Sequence, residues 1–180
     1  ALGLIRPTRG SIHLNGYPGG DARGRVDLGF MPENPGLVPH LTPRELLAGG
    51  AQSRGRDRRP AQAEADELLE RLGLADAARQ PLDQHSKGMA QRVALGFALA
   101  GGPRFLILDE PLTGLDPLWR HRVNELLAGF RAEGGTIVFS SHILSDVERL
   151  ADRVAIFHGG RVVREARPTD LLAEQLSGYA

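Results

Sequence analysis

The residues arranged most suggestively for chemistry are Asp109 and Glu110, which follow the apolar run Phe105-Leu106-Ile107-Leu108 and precede Pro111. Four consecutive apolar residues read as a strand buried on both faces, with two carboxylates emerging at its C-terminal end. Ligands of open parallel sheets bind just beyond such ends. Adjacent acids are costly there unless a cation or a reaction uses them. The first could hold Mg2+, directly or through water, and the second could polarise an attacking water. The plainer alternative is a strand that ends in solvated acids.

Three further segments carry weaker hints. Ser140-Ser141-His142 follows another apolar run, and a histidine at a second strand end could touch a phosphate or orient a water. A lone histidine is more often structural, and the other five lack metal-ligand spacing. His85-Ser86-Lys87-Gly88-Met89-Ala90-Gln91-Arg92 opens a helix. There a serine hydroxyl, a glycine without a side chain and free helix N-terminal amides make an anion site. The alternative is an ordinary serine cap beside an exposed lysine. Gly114-Leu115-Asp116-Pro117 comes soon after the paired acids.

The elements that must position these groups alternate. Ser11–Asn15 and Val26–Met31 read as short strands, and Ala1–Ile5 as the tail of a helix. Thr42-Pro43-Arg44-Glu45 is a helix start, with threonine as cap, proline at the first turn and glutamate completing a capping box. Ser53–Pro60, rich in arginine, reads as a solvated loop, and Ala61–Leu72 carries apolar residues at helical spacing. A helix over Met89–Ala100 precedes the strand at Phe105. Then come a helix over Leu118–Ala132 and a strand over Thr136–Ser140. A helix opened by a second capping box at Ser145–Glu148 follows, and a hairpin turns at Gly159-Gly160. Strands separated by helices predict a mainly parallel sheet with helices on both faces, interrupted by a helical region over about 38–100.

Composition narrows the function classes. The 180 residues carry 22 basic and 22 acidic side chains, a balance that speaks against a dedicated nucleic-acid binder. No run approaches the roughly 20 apolar residues of a membrane span. Cysteine is absent, which excludes disulfide and thiolate chemistry. Lys87 is the only lysine.

Taken jointly and in this order, the segments resemble the ATPase subunits of ABC transporters, and the likeness runs through essentially the whole chain. Phe105–Glu110 is similar to the family's Walker B strand, Ser86–Gln91 to its signature motif, Gly114–Pro117 to its D-loop and His142 to its switch histidine. Gly29-Phe30-Met31-Pro32-Glu33 falls where the Q-loop belongs. The resemblance implies an α/β fold of the P-loop NTPase (RecA-like) type: core parts at 1–37 and 101–165, a helical subdomain at 38–100 and a C-terminal tail at 166–180. It implies Glu110 as catalytic base, His142 as its companion, and Asp109 as the Mg2+ ligand, with Glu33 as a possible second. Ser86, Gly88 and Gln91 would serve ATP bound to a partner copy, and Asp116 would act in the D-loop. The implied partners are a second ATPase subunit, head to tail, and a transmembrane permease, on the inner face of the cell membrane; no nucleic acid is expected.

The departures matter too. His85, Lys87 and Met89 replace three of the five residues of the commonest signature, Leu-Ser-Gly-Gly-Gln, and Glu33 stands in place of glutamine. That combination resembles the exporter-type branch. The family's Gly-x-x-x-x-Gly-Lys-Ser/Thr loop is not in this sequence, and truncation just before Ala1 is the expectation. Without that loop the stretch is expected to bind ATP poorly and to expose a sheet edge. Two other readings compete: a soluble ABC-type ATPase acting on ribosomes or nucleic acid, and a non-catalytic regulatory remnant.

Overall fold

The computed structural model describes residues 2–171. The first elements are the two-residue strands β1 (His13–Leu14) and β2 (Tyr17–Pro18), an antiparallel hairpin. Asn15 (φ 51°) and Gly16 (φ 80°) make its turn, as residues that tolerate the left-handed region. The segment before them differs from expectation. Residues 2–5 are not helical: Gly3 sits at φ 84°, and Leu4 and Ile5 have no apolar surface to pack on, being 78% and 85% exposed.

Strand β3 (Leu28–Met31) begins the central sheet and leads into the loop that carries Glu33. Helix α1 (Pro43–Ser53) then starts as its sequence requires. The Thr42 hydroxyl accepts from the Glu45 amide while the Glu45 carboxylate accepts from Thr42. Helix α2 (Arg58–Arg71) begins earlier than hydrophobic spacing suggested, so Arg58 to Pro60 belong to its first turn. Proline suits that turn because its missing amide hydrogen would have no partner there.

Nor is Arg54 solvated. Its half-buried guanidinium donates to the main-chain carbonyls of Ala100, Phe97 (3.4 Å) and Leu28 (3.0 Å). It thereby ties the end of α1 to the end of the next helix, α3 (Lys87–Leu99), and to the start of β3. A polar run in sequence hides such a role because all three acceptors are backbone.

The sheet is completed by β4 (Phe105–Asp109), which is followed by α4 (Pro117–Ala132), and by β5 (Thr136–Ser140). The order is β3-β4-β5, all parallel, with Met31 beside Leu108 and Leu108 beside Phe139. Gly29 shows how closely α3 lies on this sheet. A Cβ there would stand 2.1 Å from the Ala98 carbonyl oxygen, so only glycine fits. The face carrying Leu106 and Leu108 joins α1–α4 in one continuous apolar cluster that includes Leu47, Leu69, Leu95 and Leu127. Each such buried side chain contributes about 1.5–3 kcal/mol.

The opposite face is less covered than the expected two-sided burial of β4. Phe105 and Ile107 are only partly buried, and Val138 beside Ile107 is 54% exposed. Helix α5 (Leu144–Leu150) starts two residues sooner than expected, with Ile143 at its N-cap and no side-chain capping bond. Ser145 therefore lies inside the helix, and the proposed capping box does not form. Strands β6 (Val154–His158) and β7 (Arg161–Ala166) make the anticipated antiparallel hairpin, with Gly159 and Gly160 at φ 55° and 74°. No described helix is long and apolar enough to cross a membrane.

Candidate functional site

Parallel register sets the geometry of the site. Asp109 ends β4 and lies beside Ser140, which ends β5. The Ser140 hydroxyl donates to Asp109 Oδ1 at 2.5 Å and accepts from the Glu110 amide at 3.0 Å. One serine thus orients the first carboxylate and fixes the peptide of the second. Ser140 was quoted in the sequence only as a neighbour of His142. The signal that would have singled it out is its position at a strand end, level with Asp109.

Glu110 leaves the strand at φ 50°, a left-handed conformation that costs a side-chain-bearing residue roughly 1–2 kcal/mol. Such strain persists where surrounding contacts over-determine it, and they do here. The Glu110 carbonyl accepts from Gln91 Nε2 at 3.1 Å and from the Thr113 amide at 3.2 Å. Its carboxylate is held from both sides: the Thr113 hydroxyl donates to Oε2 at 3.0 Å, and His142 Nδ1 lies 2.8 Å from Oε1. With the ring proton on Nδ1 the imidazole donates to this carboxylate, and Nε2 is the outward ring nitrogen. The Glu110 side chain is mostly enclosed, whereas the His142 ring is largely exposed.

The expected residues do not all converge. Asp109, Glu110 and His142 form one network at the mouth of the sheet. Glu33 lies two residues past β3, at the same end, exposed and outside that network. Among the described residues no group of three or more acids and histidines forms a metal cage. Mg2+ does not require one, since it is usually bound by one or two carboxylates with waters and substrate phosphates. The exposed, oxygen-only Asp109, oriented by Ser140, fits that description.

At the anion-site candidate the helix starts where the sequence placed it, a geometry shared by the ordinary serine cap. Ser86 caps α3, its hydroxyl accepting from the Met89 amide at 3.3 Å, and Ser86 and Lys87 are exposed. Gly88 is pressed against the D-loop-like turn: a Cβ on it would lie 3.3 Å from the Gly114 carbonyl oxygen. Asp116 caps α4 by accepting from the Trp119 amide at 2.9 Å. Gln91 is placed differently from Ser86 and Gly88. Only 3% exposed, it faces inward and commits its amide to the Glu110 carbonyl.

Residues 1–113 match the ABC transporter family. An uncharacterised ABC transporter ATP-binding protein of Nostoc sp. is 42% identical over 179 residues, which cover 97% of this chain and 52% of that protein. The Nod factor export ATP-binding protein I of Rhizobium etli is 37% identical, over 96% of this chain and 55% of its own length. Among solved structures, a dimeric post-hydrolysis state of the ATP-binding cassette MJ0796 bound to ADP and Pi superposes with a TM-score of 0.82. It is 25% identical, covering 92% of this chain and 76% of that one. The chain spans about half the length of these curated relatives. It belongs to the ABC transporter family and carries that family's P-loop NTPase type of α/β fold.

Proposed function

We propose that the polypeptide carrying this chain hydrolyses ATP and passes the resulting conformational change to a membrane-embedded partner. The observation that carries this reading is the Glu110 carboxylate, gripped between His142 and Thr113 at the mouth of β4 beside Asp109. Glu110 orients and deprotonates the attacking water. His142 holds the carboxylate in place through Nδ1, and as the imidazolium it would also donate from Nε2 to the terminal phosphate. Asp109 would hold Mg2+, whose charge would neutralise the phosphate oxygens. Ser140 aligns Asp109, and Gln91 fixes the Glu110 peptide from behind.

Ser86 and Gly88 at the start of α3 take no part in the hydrogen bonds that join Asp109, Glu110 and His142 through Ser140. In this reading they meet nucleotide held by a second copy, so that nucleotide bridges two subunits and hydrolysis releases them. A likeness to a dimeric cassette bound to ADP and Pi supports that assembly. The helical region 38–100 and the Glu33 loop relay the change, and export is the direction favoured by likeness to a Nod factor export protein. The partly covered sheet face and the free edge of β5 are proposed to be completed by a phosphate-binding loop with its strand and helix. Residues 1–180 alone therefore bind ATP poorly.

The test is Glu110→Gln in the full-length polypeptide. The amide keeps the shape and loses the base, so turnover falls by about 10²–10⁴-fold while ATP still binds. Unaltered turnover removes Glu110 from the role given to it.

A further inference from the structure

Trp119 looks in sequence like a packing residue, yet its ring sits at a junction of three helices. The Arg92 guanidinium carbon lies 3.9 Å from the ring centroid, and that of Arg122 lies 4.9 Å away. Arg92 is buried, and two of its three nitrogens donate to carbonyls. Nη1 donates to Leu72 at 2.7 Å and to Gly73 at 3.3 Å, and Nε to Gly88 at 3.3 Å. Gly73, just past the end of α2, makes room for the indole: a Cβ there would stand 2.0 Å from the ring. The ends of α2, α3 and α4 thus close around a single cation–aromatic stack.

Two links run from that stack to the surface. Arg92 holds the Gly88 carbonyl one turn toward the start of α3, and Trp119 donates its amide to the Asp116 side chain at the start of α4. A Cβ on Gly88 would lie 3.3 Å from the Gly114 carbonyl oxygen, so the two segments are close neighbours. Burial disfavours the guanidinium charge, and the nearby Asp116 carboxylate counters that cost.

We propose that Arg92 and Trp119 are a positioning pair that holds the Ser86–Gly88 segment and the Gly114–Asp116 turn as one rigid surface. The functional half of this inference rests on the ATPase reading above: a second subunit then meets both segments in fixed relation. The coupling itself does not depend on that reading.

The experiment uses the full-length polypeptide, with Trp119→Leu to remove the ring face and Trp119→Phe to keep an aromatic one. Amide hydrogen exchange is measured first, without nucleotide. Trp119→Leu raises exchange at 86–91 and 114–119 together by about fivefold, the scale of a partly desolvated cation–π contact. Trp119→Phe stays within about twofold of the parent, and α1 is unchanged. Acceleration in only one segment, in neither, or throughout the chain overturns the coupling.

Steady-state ATP turnover is measured second. The leucine variant loses about fivefold in kcat with KM for ATP within about twofold, and phenylalanine restores it. Unchanged kcat, or a loss that phenylalanine does not restore, overturns the positioning role. A parent protein without ATP turnover refutes the ATPase reading instead, and the exchange result still decides the coupling.

Discussion

On one face of β4, Leu106 and Leu108 are 0% and 1% exposed; on the other face of the same sheet, Val138 is 54% exposed. Both faces are apolar, so alternation along the strands treats them alike. They differ in what answers them. The Leu106 face meets α3 and α4, whose apolar sides come from this same stretch, and Gly29 lets α3 approach to backbone contact. The Ile107–Val138 face has no comparable layer among the described residues. A strand's composition records its demand for cover but not the source of that cover.

Four substitutions and one titration follow, and the largest effect belongs to the covered face. Leu108→Ala costs about 3 kcal/mol in denaturant unfolding, within the usual range for a truncated core leucine. Ile107→Ala, its half-covered neighbour, costs less than half of that. Equal losses would break the distinction between the faces. Next comes Thr42→Ala, which removes the hydroxyl that accepts from the Glu45 amide, leaves the bond from the Thr42 amide to the Glu45 carboxylate, and costs about 1 kcal/mol. A null result there would mean that packing alone sets the start of α1. Val138→Thr in the 180-residue chain changes stability by less than about 0.5 kcal/mol, as exposed positions do. A loss like that of Leu108→Ala would show the open face to be covered after all.

The smallest effect is a titration. Hydrogen bonds from the Arg23 side chain and amide lower the Asp21 carboxyl to a pKa of about 2. Depression of an acid's pKa means that its contribution is complete above the unfolded value near 3.9 and fades as pH falls toward 2. Carbon-13 shifts of the Asp21 carboxyl should therefore stay those of the ionised form at pH 3. In Arg23→Ala they should move toward the protonated form at that pH.

How far the molecule was legible in its sequence depended on the distance between partners. The Thr42–Glu45 box and the Gly159-Gly160 turn are local, and both formed as read. The Asp109–Glu110 pair was legible because an apolar strand announces its own end. Arg54 was not, since its acceptors lie 26 to 46 residues away and are main-chain carbonyls that any sequence would supply. Ser140 and Thr113 were missed for a related reason. Nothing about a serine signals a bond to Asp109 until the register between β4 and β5 is known, and nothing about a threonine signals one to Glu110, three residues back, until the left-handed turn at Glu110 is known. Ser145 misled in the other direction, because a capping pattern within an already helical turn has no free amides to satisfy.

Arg54 also has an electrical consequence. The peptide dipoles of α3 leave a partial negative charge at the carbonyls of its last turn and a partial positive charge at its first amides. Arg54 donates to carbonyls at that negative pole, where a full cationic charge outweighs the partial one. At the other pole Ser86 and Lys87 face solvent. The negative pole of α3 is thus answered inside the chain, by Arg54 with Glu64 close to it, while the positive pole lies at the surface.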